Sequence, residues 1–231
     1  MNILIVGDSW SKPDSHSEPF VNPFHIGEEK LPIEYYLMKK GHTVFNRGEG
    51  GRGNINSLKL ADYFLKVAPS LGIEIDLIIF FNTDLSRDRP VIFPGHTYPN
   101  NLDGLTFQLF KENVRRFEII RSYYKGKWCV VEGNAPLVDK SMLPWLDLVI
   151  EDWRSEIVGY KLPTSQWLYD YPFLETNLKV FGADAVAKEV ESIEKIWDTV
   201  KGLPELFPDL SHPNLECHEK LADRILNHFN V

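Results

Sequence analysis

Met1-Asn2-Ile3-Leu4-Ile5-Val6-Gly7-Asp8-Ser9 opens the chain, and the reading of this stretch decides the fold. Ile3 to Val6 is an unbroken apolar run, closed at once by a glycine. A strand buried on both faces reads this way, because each successive side chain meets a packed layer and none meets water. A secretory leader needs basic residues followed by an apolar core of about 7–15 residues, longer than this run. The stretch is therefore expected to be the first strand of an α/β fold, with a small polar loop at its carboxyl end.

Comparable runs recur at Thr43–Phe45, Leu77–Phe81, Trp128–Val131 and Leu146–Ile150. Between them, apolar residues return at helical spacing over Ile33–Lys40, Ile55–Val67 and Leu105–Tyr124. Two further helices are expected at Ala183–Val200 and Leu215–Phe229. Strands alternating with helices predict a parallel sheet covered on both faces. The expectation is a three-layer αβα sandwich with a five-stranded parallel sheet, one domain over residues 1–231. Trp10–Glu29, Arg89–Gly104 and the aromatic-rich Pro163–Pro172 show no period. The first two follow strands, and loops of that length commonly build pockets or lids.

The 231 residues hold 25 Lys and Arg against 33 Asp and Glu, a net charge of −8. Such a surface repels phosphate backbones and anionic lipid, so neither nucleic acid nor membrane is an expected partner. Cys129 and Cys217 are too few for a disulfide framework or a cysteine-rich zinc site. No apolar stretch nears the roughly 18–20 residues that span a bilayer. A cytoplasmic location follows as the expectation. A chain of this size buries roughly 70–75% of its unfolded surface, so it needs no metal or disulfide staple.

In an open parallel sheet, ligands bind beyond the carboxyl ends of the strands. Polar clusters fall at or near such positions: Gly7-Asp8-Ser9, Asn46-Arg47-Gly48-Glu49-Gly50-Gly51-Arg52-Gly53-Asn54, Asn82-Thr83-Asp84, and Asp209-Leu210-Ser211-His212-Pro213-Asn214 before the last helix. Asp209 and His212 are three apart. At that spacing a carboxylate can hold one imidazole nitrogen while the other faces a cleft, the base-and-orienter half of a triad. Asp209 alone can also serve as a helix cap, with His212 on the surface. Ser9, a strand-end serine far away in the chain, supplies the missing nucleophile.

These blocks, in this order over nearly the whole chain, resemble the SGNH/GDSL hydrolase superfamily. Gly7-Asp8-Ser9 matches the first block, whose serine is the nucleophile. Asn46-Arg47-Gly48-Glu49-Gly50-Gly51 is similar to the second, whose glycine N–H lines the oxyanion hole; Gly51 is the match. Asp209-Leu210-Ser211-His212-Pro213 matches the last, which supplies acid and base. The resemblance implies a flavodoxin-like SGNH fold and a serine esterase without cofactor. Ser9, His212 and Asp209 would be its triad, with an ester of a small molecule, lipid or glycan as substrate. The order Ser, Asp, His is shared with α/β-hydrolases, but their Gly-x-Ser-x-Gly elbow is missing around Ser9.

The third block departs from the pattern. The family has Gly-x-Asn-Asp, whereas Phe81-Asn82-Thr83-Asp84 puts Phe in the glycine slot and Thr in the asparagine slot. Asn82 is one residue early, and along a strand one residue reverses the face. If the strand ends at Phe81, a bend there lets the Asn82 amide join the N–H groups of Ser9 and Gly51 in the oxyanion hole; if it does not, the site is expected to lack one donor. A turn-forming role is the plainer reading of Asn82, and Asn134 is a further substitute. The altered block also leaves room for a weak enzyme or a binding protein of the same fold, with loop aromatics such as Trp10, Phe20, Tyr98 and Trp167 stacking on sugars. Gly48 to Gly53 spells a dinucleotide fingerprint, but after the second strand rather than the first. His16, His25, His42 and His96 lack ligand spacing, so no metal is expected.

Overall fold

Five parallel strands in the order β2-β1-β3-β4-β5 carry the fold. The structure is a computed structural model. It describes residues 1–7, 33–49, 52–83, 88, 102–132, 140–151 and 215–231, with side chains from 108 in the third of the long helices and from 216 in the last. The elements are β1 (Asn2–Val6), α1 (Ile33–Lys39), β2 (Thr43–Asn46), α2 (Asn54–Val67), β3 (Leu77–Asn82), α3 (Leu102–Tyr123), β4 (Lys127–Glu132), β5 (Leu148–Ile150) and α4 (Leu215–Phe229). The helix expected at Ala183–Val200 and the irregular stretches 10–29, 89–100 and 163–172 lie outside the described residues.

Alternation divides each buried strand between two cores. Ile3, Ile5, Leu77, Ile79, Phe81, Cys129 and Val131 face a layer formed by α1 and α4. Leu4, Val6, Ile78, Phe80, Trp128 and Val130 face the opposite layer, where Leu58, Ala61 and Leu65 of α2 meet Phe117 and Ile120 of α3. Both faces of the sheet are thus dry, the reason the strands read as continuous apolar runs. The three-layer αβα sandwich expected from the sequence is the observed architecture.

α4 is placed by its apolar stripe of Cys217, Leu221, Ala222, Ile225 and Leu226. Its outer face is charged, with Asp223 paired to Lys40 at 3.0 Å and Glu216 to Lys220 at 2.7 Å. At its carboxyl end the His228 Nε2 lies 3.1 Å from the carbonyl of Asp147, just before β5. The Lys127 ammonium, at the start of β4, sits 5.0 Å from the Phe229 ring centre. The helix therefore ends at the amino edge of the sheet. Its first turn, directly after residues 209–214, stands at the carboxyl edge. No helix among the described residues is long and apolar enough to cross a membrane.

Candidate active site

The strand order reverses direction between β1 and β3: β2 lies to one side of β1, and β3, β4 and β5 to the other. At such a switch point the connections on either side leave in opposite directions and open a crevice beyond the carboxyl ends. β1 leads into the first sequence block and β3 into the third. The glycine-rich second block follows β2, an edge strand, so it does not occupy the first strand-to-helix turn where a dinucleotide fingerprint belongs.

Gly7 marks the close approach of the first and third blocks. Its φ is +147°, and a Cβ built there would lie 2.5 Å from the Phe81 Cβ and 2.8 Å from the Phe81 carbonyl oxygen. The chain directly after β1 therefore packs against the Phe81 backbone so closely that only a glycine fits there. Gly7→Ala combines an unfavourable backbone conformation with backbone overlap, together worth about 2–4 kcal/mol. A melting temperature lower by roughly 5–15 °C is expected for a chain of this size. An unchanged thermal melt would show that the contact relaxes freely.

The second block is tied to the first through main chain. The Arg47 N–H donates to the Ile5 carbonyl (2.8 Å) and the Glu49 N–H to the Gly7 carbonyl (3.1 Å). The Asn46 side chain accepts from the Gly48 N–H at 2.9 Å, a local turn that ends the strand. Residues 50 and 51 are flanked by Glu49 and Arg52, which are linked by an ion pair and by the Arg52 N–H donating to the Glu49 carbonyl at 3.2 Å.

The third block is tied to the second through side chains. Asn54, the first residue of α2, accepts from the Thr83 N–H (2.9 Å) and donates from Nδ2 to the Thr83 carbonyl (2.8 Å). The N-cap residue Gly53 offers no side-chain bond to the helix. Instead the fully buried Asp88 supplies it from elsewhere in the chain, one oxygen accepting from the Ile55 N–H at 2.8 Å and the other from Asn113 Nδ2 at 3.2 Å. A carboxylate is well placed there, where free N–H groups and the helix dipole favour negative charge.

Of the residues singled out in the sequence, Asn82 is described, whereas Ser9, Gly51, Asn134, Asp209 and His212 lie outside the described residues. β3 does not stop at Phe81. It runs through Asn82, which pairs in register with Glu132 of β4. The apolar run ends where the side chains turn polar, but the ladder depends only on backbone and continues one residue further. Alternation sets Asn82 and Glu132 on the side of Phe80 and Val130, and both are buried. Thr83, in the slot where the family has asparagine, is 2% exposed, and among the described residues its hydroxyl has no hydrogen-bond partner.

Sequence reasoning placed Asn54 in the second polar cluster without giving it a role, and missed Asp88, Glu132 and His218. His218 is buried in the second turn of α4, near the carboxyl edge. The sequence signal for Asn54 was its offset: an asparagine directly after Gly53 stands one place too late to be the N-cap. Neither cysteine offers a rival nucleophile, since both are buried and burial pushes the Cys129 thiol far above its ordinary pKa. Among the described residues no group of three His, Cys, Asp or Glu side chains is arranged to hold a metal ion. His42 sits 3.3 Å from the N-terminal amine at the opposite edge, where burial and then that positive charge lower its pKa.

No protein-family model matches the chain, and no curated protein matches it. Among solved structures it is similar to an acetyl xylan esterase from Geobacillus stearothermophilus, at 15% identity over 98% of this chain and 93% of that one, with a TM-score of 0.44. It is also similar to Est24, a carbohydrate acetylesterase from Sinorhizobium meliloti, at 16% identity over 99% and 98% of the two chains and a TM-score of 0.42. TesA matches at 16% identity over 99% and 98%, with a TM-score of 0.43. These are likenesses of chain path and assign no activity here.

Proposed function

We propose that the chain is a serine hydrolase that cleaves an acyl or acetyl ester of a carbohydrate or small lipid. One observation carries the reading: three blocks separate in sequence are bonded to one another at the β1/β3 switch point, through Glu49 to Gly7 and Asn54 to Thr83. The first turn of α4, which follows the Asp209–Pro213 block, stands at the same edge of the sheet. Nucleophile, oxyanion donors and base are supplied in the family from these four places.

In the reaction, His212 takes the Ser9 proton as Ser9 Oγ bonds to the ester carbonyl carbon. Asp209 holds the imidazole tautomer and balances the imidazolium. The tetrahedral oxyanion accepts from the N–H groups of Ser9 and Gly51 and from the Asn82 amide. The bond to the alkoxy oxygen then breaks, His212 returns its proton to the departing alcohol, and an acyl-serine remains. His212 next deprotonates a water, whose oxygen attacks the acyl carbon. Collapse releases the acid, and the proton returns to Ser9. No cofactor is consumed. A panel of short acyl and acetyl-sugar esters tests the reading: turnover sensitive to a serine-directed phosphonate supports it, and no turnover of any member refutes it.

The assignment of Asn82 has its own test. The bend after Phe81 on which the sequence reading rests is not there, but Asn82 is the amide of the third block and the last residue of β3, beside the switch point. Asn82→Ala is expected to lower kcat by about 10²–10³ with little change in KM, because the bond forms mainly as charge develops on the oxygen. An unaltered kcat would leave the hole to the two backbone donors.

A further inference from the structure

We infer that Asn54 is the positioning residue of this site, fixing the third block against the start of α2 so that the Asn82 amide is held in one place. The inference rests on the hydrolase reading above and adds a residue that the four-block resemblance does not include. Asn54 is 2% exposed and opens α2, yet it does no capping for its own helix. That duty falls to Asp88, through the Ile55 N–H. Both polar ends of the Asn54 amide are instead spent on one peptide group 29 residues away, the N–H and carbonyl of Thr83. A primary amide that accepts and donates to the same residue copies the pairing of two strands. It therefore fixes both separation and orientation, which a single bond would leave free to swing.

What it joins explains why this matters. On one side, Asn54 is fixed in the first turn of α2. On the other side, Thr83 follows directly from Asn82, the proposed side-chain donor. Sub-ångström placement of such donors governs transition-state stabilisation, and an error near 1 Å costs on the order of 10²-fold. In this role Asn54 acts through the Thr83 backbone.

The test compares wild type, Asn54→Ala, Asn82→Ala and the double variant by steady-state kinetics on an acetyl ester, with amide hydrogen exchange at Thr83. Asn54→Ala is expected to lower kcat about 10- to 100-fold with KM within about twofold, and to speed exchange of the Thr83 N–H. The double variant should be no more than about twofold slower than Asn82→Ala, because the donor that Asn54 places is already gone. Asn54→Ser keeps a smaller hydrogen-bonding group at the helix start and adds no charge beside Asp88. It should lose several-fold in kcat and serves if the alanine variant does not fold. An unchanged kcat in a folded Asn54 variant, or fully multiplicative losses in the double variant, would overturn the role. Wild-type turnover with either of those results removes only the positioning role, whereas a wild type inert to every ester removes the hydrolase reading and this role with it.

Discussion

Ser9→Ala is expected to reduce ester turnover by about 10³–10⁶-fold while leaving the thermal melt within a few degrees of wild type. The size follows from chemistry. Without Oγ no acyl-enzyme forms, and what remains is the modest help of bound geometry and oxyanion donors to direct attack by water. The small effect on stability follows from the change itself, which removes one oxygen and introduces no bulk or strain. Two residues earlier in the chain, Gly7 follows β1, lies against Phe81 and accepts from the Glu49 N–H. Steady-state assays on purified protein decide it: wild-type turnover in Ser9→Ala would remove the nucleophile assignment.

His212→Ala should cost a comparable factor, and it carries a second signature. A general base works only when neutral, so kcat/KM of wild type should rise with pH through an apparent pKa of roughly 6–7, the ordinary histidine range, and level off above it. In His212→Ala both the rate and that rising limb should disappear. Asp209→Asn should retain the fold while lowering kcat, since the imidazole is then held in the wrong tautomer. A rising limb that survives in His212→Ala would point to another base. His218, buried in α4 near the same edge, would then be the residue to substitute next.

The layers of this fold were legible because its sheet is buried on both faces. Each strand announced itself as an apolar run, and the five runs became the five strands. The differences lie at the ends, where pairing is a backbone matter that hydrophobicity does not report. β2 gains Asn46, β3 gains Asn82, and β4 gains Lys127 and Glu132. Conversely, Leu146 was read into β5, but its N–H closes a turn onto the Leu143 carbonyl at 3.2 Å and the ladder starts at Leu148. α3 begins at Leu102, before its apolar spacing becomes regular.

The candidate site was displayed in the sequence only as separate motifs. Its blocks stand out as short polar motifs at strand ends, and these the sequence displays directly. What joins the blocks does not stand out. The Asn54 amide reaches Thr83 and the Asp88 carboxylate reaches Ile55, 33 residues back, through side-chain bonds to backbone that leave no periodic trace. The Phe81 substitution looked like damage to the third block in the sequence alone. In three dimensions Gly7, directly after β1, lies against the Phe81 backbone and Cβ, a closeness that only the parallel pairing of β1 with β3 reveals.

The central claim is that Ser9 is an activated nucleophile, and covalent labelling tests it most directly. The wild-type protein is treated with a fluorophosphonate at neutral pH, and the adduct is located by mass spectrometry of the intact chain and its peptides. The account predicts one adduct per chain, on the peptide holding Gly7-Asp8-Ser9, absent from Ser9→Ala and strongly slowed in His212→Ala. No adduct on a folded wild-type protein, or an adduct on any other serine, would contradict it.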